Sequence, residues 1–99
     1  MINRDQIRLQ IANAVLNAGS RMTASLLSVR IGLDPPKVAA LRNRRLEIFS
    51  IERLMHLATR LGHDVEIVVR PHPRENNRPA RTGSVIVRDR SNPDEISII

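Results

Sequence analysis

Four cations, Lys37, Arg42, Arg44 and Arg45, fall within nine residues that contain no acid. Ammonium and guanidinium groups at that density do one kind of chemistry well. They hold phosphate, and a guanidinium matched to the O6/N7 edge of guanine also reads a base. On a helix, Lys37 and Arg44 are seven apart and share a face, and Arg45 follows at the helix end. Lys37 or Arg44 is the candidate for reaching guanine, worth about 1–3 kcal/mol of discrimination for a bidentate arginine contact. On an unspecified helix the same cluster is a solvated basic face, so its meaning depends on the elements that carry it.

Other chemistry is poorly supported. The histidines are His56, His63 and His72, and Gly62 interrupts any helix face that the first two would share. No cysteine or carboxylate pattern accompanies them at metal-ligand spacing, and His56 reads as a packing residue. The ten carboxylates are scattered, and there is no Ser-His-Asp neighbourhood or glycine-rich phosphate loop. The expectation is a protein that is not an enzyme and takes no metal or cofactor.

A chain of 99 residues supports one modest core. Its apolar content is 41%, yet Phe49 is the single aromatic residue, so the core must be Leu, Ile, Val, Ala and Met, which suits short packed helices. The net charge is +6, and fifteen of the sixteen cations are arginine, with Lys37 the one lysine. That bias favours nucleic acid, although a genome rich in G and C would enrich arginine as well. The absence of cysteine removes disulfide frameworks and zinc ribbons and fits a reducing compartment. Residues 1–19 do not read as a signal peptide, and no run approaches the ~20 apolar residues of a membrane span. A cytoplasmic protein with no membrane partner is expected.

The elements that position the cations follow from periodicity and punctuation. Residues 3–18 read as an amphipathic helix carrying Ile7, Ile11, Ala14, Val15 and Ala18, with Asn3 to cap it and Gly19 to end it. Thr23 opens a second helix through Ile31 that buries Leu26, Leu27 and Ile31. Gly32 supplies the tight turn. Asp34 caps a third helix to about Asn43, with Pro35 and Pro36 in its first turn and Val38 and Leu41 inward. Ser50 caps a fourth, stapled by Phe49, with Ile51, Leu54, Met55, Ala58 and Leu61 as its stripe and Gly62 at its end.

The period then changes. Residues 64–70 alternate and are β-branched, which predicts a strand ending at Pro71. A lone strand has two unpaired edges, so it must pair either with a second copy through Val65, Ile67 and Val69 or with the run 84–88 of its own chain. Residues 71–99 carry four prolines and five arginines and read as a flexible tail. The apolar clusters Val85-Ile86-Val87 and Ile96, Ile98, Ile99 interrupt it, as a weakly docked strand or as a partner-binding segment. Two regions are thus expected: a domain over 1–70 and a tail over 71–99.

A short helix, a glycine turn and a second helix locked by Val38 and Leu41 present that second helix to a major groove. Over about residues 8–70 the chain resembles the Xre-like helix-turn-helix family, especially HigA-type antitoxins. Thr23, Gly32, Pro36, Val38, Leu41, Phe49-Ser50-Ile51, Leu54 and Val65-Glu66-Ile67 keep the family register without a gap. The resemblance implies a mainly α, four- to five-helix, lambda-repressor-like domain followed by a dimerisation strand. It also implies contacts to double-stranded DNA from Thr23, Lys37, Arg42, Asn43, Arg44 and Arg45. The departures are specific. The family's phosphate-binding glutamine after the threonine cap is Ala24, its base-reading positions fall on Pro35, Pro36 and Ala40, and the glycine that closes its recognition helix is Arg44.

The functional expectation is an antitoxin of a type II toxin–antitoxin system. It would repress its own operon as a homodimer on an inverted repeat and neutralise a small protein toxin. A free-standing Xre-type repressor without a toxin is the alternative, and a protein-interaction module that has lost DNA reading is the third.

Overall fold

Each helix begins where a side-chain oxygen can take one of the first amides, which by position have no partner inside the helix. In the computed structural model, which describes residues 3–72 and 83–90, α1 is Arg4–Ala18, and Asn3 Oδ1 accepts from the Gln6 amide at 3.1 Å. The next helix, α2, is Ala24–Ile31, capped by Thr23 Oγ1 on the Leu26 amide at 3.2 Å. Asp34 Oδ1 accepts from the Lys37 amide at 3.1 Å to open α3, Pro35–Arg42. Ser50 Oγ accepts from the Arg53 amide at 3.0 Å to open α4, Ile51–Arg60. Caps of this kind are worth about 1 kcal/mol each.

Two glycines follow helices under different constraints. Gly32 follows α2 at φ +72, a left-handed conformation that disfavours any side chain. Gly19, after α1, is not left-handed; a Cβ there would lie 2.8 Å from Leu27 Cδ1, so it is small because α2 packs over it.

The core is aliphatic. Val15, Leu27, Val38, Leu41, Leu54 and Leu57 are its largest fully buried side chains, and Phe49 is buried beside them. Helix α1 packs chiefly on α4, while α2 packs on both α3 and α4. Because α4 is covered from two sides, its buried face is wider than the sequence stripe suggested and includes Leu57. A short 3-10 turn, Leu46–Ile48, joins α3 to α4 and drops Leu46 into the core. The expectation that Leu26 is buried is corrected: it is 50% exposed, because α2 is only eight residues long and turns Leu27 and Ile31 inward instead.

The strand is corrected as well. No strand forms among the described residues, neither over 64–70 nor over 84–88. A strand is defined by its ladder, and neither run has closed one. Val65, Ile67 and Val69 are exposed, Val69 at 92%. Of the second run, Val87 is half-buried against the core while Val85 and Ile86 remain exposed, so this run docks by one side chain without pairing. The expected cluster Ile96, Ile98 and Ile99 lies outside the described residues, as does most of the expected tail. No helix among the described residues is long and apolar enough to cross a membrane.

Candidate nucleic-acid interface

Helix α3 is held from beneath by Val38 and Leu41, both fully buried, which leaves Pro35, Pro36, Lys37, Ala39 and Asn43 exposed on its outer side. Ala40, expected at a base-reading position, is half-buried against the core, and Ala39 occupies the outward place. The turn before α3 is closed by hydrogen bonds. The Ser28 hydroxyl donates to the Leu33 carbonyl, and the Gly32 and Leu33 amides donate to the Ser28 carbonyl at 3.0 and 3.2 Å. Across this turn lies the Arg60 side chain of α4, whose Nε donates to the Arg30 carbonyl at 3.4 Å.

The start of α3 differs from an ordinary helix N-terminus. Such an end offers several free amides to a phosphate. Here Pro35 and Pro36 have none, and the Lys37 amide is held by Asp34 through both its carboxylate and its carbonyl. The carboxylate sits at the positive end of the helix dipole, which accounts for an acid at the front of a basic surface. Backbone anion binding at the front of α3 is therefore closed, and side chains must supply the contacts. By contrast, Ala24 and Ser25 are the first two residues of α2 and have no intrahelical acceptor for their amides. Thr23 stands exposed beside them with its hydroxyl oxygen taken by Leu26.

The four clustered cations separate into two kinds. Arg42 is half-buried, and its Nη2 donates to the Met22 carbonyl at 2.9 Å, tying the end of α3 to the loop before α2. Arg44, just past α3, adopts a left-handed φ of 56, a conformation that favours glycine. Its Nη1 donates to the Arg42 carbonyl at 2.8 Å, and its Nη2 donates to Asn13 Oδ1 of α1 at 3.4 Å. Both guanidinium groups thus bond back onto the protein. Lys37, Asn43 and Arg45 are exposed.

Arg53 joins them from a place the sequence pattern did not mark. An open cleft between the front of α3 and the front of α4 is lined by Leu33, Lys37, Ile48, Phe49, Ser50 and Arg53. It places two cations, sixteen residues apart in the chain, around one concavity. The missed signal was available in the fourth helix: Arg53 is its third residue and lies away from the Leu54, Leu57, Ala58 face. Among the described residues, no group of three His, Cys, Asp or Glu side chains could hold a metal ion.

Comparison with known proteins agrees with this architecture. Residues 5–70 match a family model described as a helix-turn-helix domain. No curated protein matches the chain. A solved structure described as a candidate XRE-family transcriptional regulator is 40% identical, with a TM-score of 0.72; the match covers 86% of this chain and 96% of that one. With the family model spanning two capped helices around Gly32, and a relative of that identity matched over nearly its whole length, the chain belongs to the XRE-type helix-turn-helix family of transcriptional regulators.

Proposed function

We propose that the chain regulates transcription by binding an inverted-repeat operator as a homodimer, with α3 in the major groove. The observation that carries this reading is the open edge formed by Lys37, Asn43, Arg45 and Arg53 on and beside a short helix anchored by Val38 and Leu41. Phosphate affinity is assigned to Lys37, Arg45 and Arg53, together with Thr23 and the first amides of α2. Base reading falls to Lys37 or Asn43, because Pro35, Pro36 and Ala39 have no group that can bond a base edge. Arg42 and Arg44 act by holding α3 in place.

Dimerisation is assigned to residues 64–70. Val65, Ile67 and Val69 are exposed and have no ladder, and pairing with the same run of a second chain would cover them. In a helix-turn-helix dimer the two recognition helices then stand about 34 Å apart, one turn of the duplex. The finer role is that of an antitoxin that represses its own operon and neutralises a small protein toxin. Exposed Val85 and Ile86, beside docked Val87, support it as apolar surface that a protein partner would cover.

The test is titration of the full chain with its own upstream DNA at several salt concentrations, with shuffled DNA as competitor. Specific regulation requires binding that resists the competitor and weakens with salt in proportion to the phosphates contacted. Binding lost equally to shuffled DNA would favour the interaction-module reading, for which the closed front of α3 is the supporting observation.

A further inference from the structure

Helix α2 has an outer face that DNA contact does not explain. Leu26 is 50% exposed and Val29 75% exposed. Three residues apart, they share one side of the helix, and Arg30, four after Leu26, lies beside them. The whole helix, Ala24–Ile31, contains no acid. At its far end Arg60 adds a second cation, bonded to the Arg30 carbonyl. Apolar side chains gain nothing from a phosphate backbone, so this is a surface for an apolar segment that carries negative charge.

The chain contains such a segment. Asp94-Glu95-Ile96-Ser97-Ile98-Ile99 places two acids immediately before three isoleucines, in a protein of net charge +6. We propose that residues 94–99 dock on the outer face of α2 in the same chain. In that arrangement Ile96, Ile98 and Ile99 cover Leu26 and Val29, and Asp94 and Glu95 lie near Arg30 and Arg60. Val87 fixes the preceding run to the core, and the seven residues from 88 to 94 that lead to the segment span up to about 24 Å when extended. A tether this short keeps the segment at millimolar effective concentration, so a weak contact is enough to hold it.

Charge favours this face over residues 64–70, which carry two acids, Asp64 and Glu66, against one cation, Arg70, whereas α2 carries Arg30 and no acid. The docking needs no DNA, so its failure and failure of the regulator reading are separate results.

The absence of cysteine allows one clean label. A nitroxide on Ser97→Cys in the full, 15N-labelled chain is expected to broaden the Leu26, Val29 and Arg30 amides to less than about half their reduced-state intensity. The broadening should survive tenfold dilution. It should also be absent from 15N chains lacking the nitroxide when these are mixed equally with nitroxide-bearing chains that carry no 15N. Val29→Asp, a change at an exposed site, should abolish it while the circular dichroism stays helical. Broadening centred on 65–69, or spread evenly, would overturn the proposal. So would broadening seen only between different chains, which would mean that the segment docks on a second copy.

Discussion

Two groups of cations stand on the same surface and do different work. Arg42 and Arg44 are bonded to carbonyl and amide oxygens of their own chain, whereas Lys37 and Arg53 face an open cleft. The difference comes from the helix ends. The carbonyls at the C-terminal end of α3 need donors from outside the helix, and the helix has no glycine there to turn the chain cheaply. Arg44 makes the turn itself, and its guanidinium satisfies the Arg42 carbonyl. At the N-terminal end Asp34 and the prolines complete the cap, so Lys37 has no structural task. Of these four cations, Lys37 and Arg53 are therefore the ones whose charged groups are not bonded to a protein oxygen among the described residues.

The sharpest way to break this comparison is at Arg42. Arg42→Ala removes a half-buried charged hydrogen bond to Met22 along with the packing of its stem, and is expected to cost about 1–2 kcal/mol. Urea denaturation measures it. The salt dependence of DNA binding should be unchanged once unfolded protein is accounted for. Unaltered stability with a shallower salt slope would move Arg42 into the group that touches phosphate.

A smaller effect, of opposite sign, is expected at Arg44. Its left-handed conformation costs on the order of 1 kcal/mol for a residue with a side chain. Its bonds are exposed, and the one to Asn13 is long at 3.4 Å, so they return only part of that. Arg44→Gly should therefore raise the urea midpoint, by roughly 0.5 kcal/mol in stability. A loss of stability would show that the guanidinium bonds outweigh the strain.

Most of the domain was legible because local rules and global packing agree. Asn3, Thr23, Asp34 and Ser50 are each followed by an apolar period that fixes where a helix starts, and each is a cap in the structure. Leu26 was misplaced because an eight-residue helix leaves two adjacent leucines to compete for one buried position, and periodicity over two turns does not say which wins. Residues 64–70 have the composition of a strand, but composition cannot supply the second edge that makes one. The direction of Arg42 and Arg44 depends on the Met22 carbonyl and on Asn13, twenty and thirty-one residues away, which no local pattern encodes. The pairing of Lys37 with Arg53 across the cleft was hidden for the same reason.

That pairing is where the smallest change in stability and the most informative change in binding are expected. Lys37 and Arg53 are both exposed, and their backbone amides, which serve the caps, survive truncation of the side chain. Lys37→Ala and Arg53→Ala should each leave stability within about 0.5 kcal/mol of the parent. Each phosphate contact contributes about 0.9 to the slope of log K against log salt on duplex DNA, so each variant should flatten the slope by up to that amount. The double variant then distinguishes two geometries. If the side chains hold separate phosphates, the two reductions add. If both converge on one phosphate in the cleft, the first substitution removes part of a shared contact, and the pair together flatten the slope by about one contact rather than two. No change even in the double variant would show that the cleft lies off the DNA and that Arg45 and the front of α2 carry the backbone contacts instead.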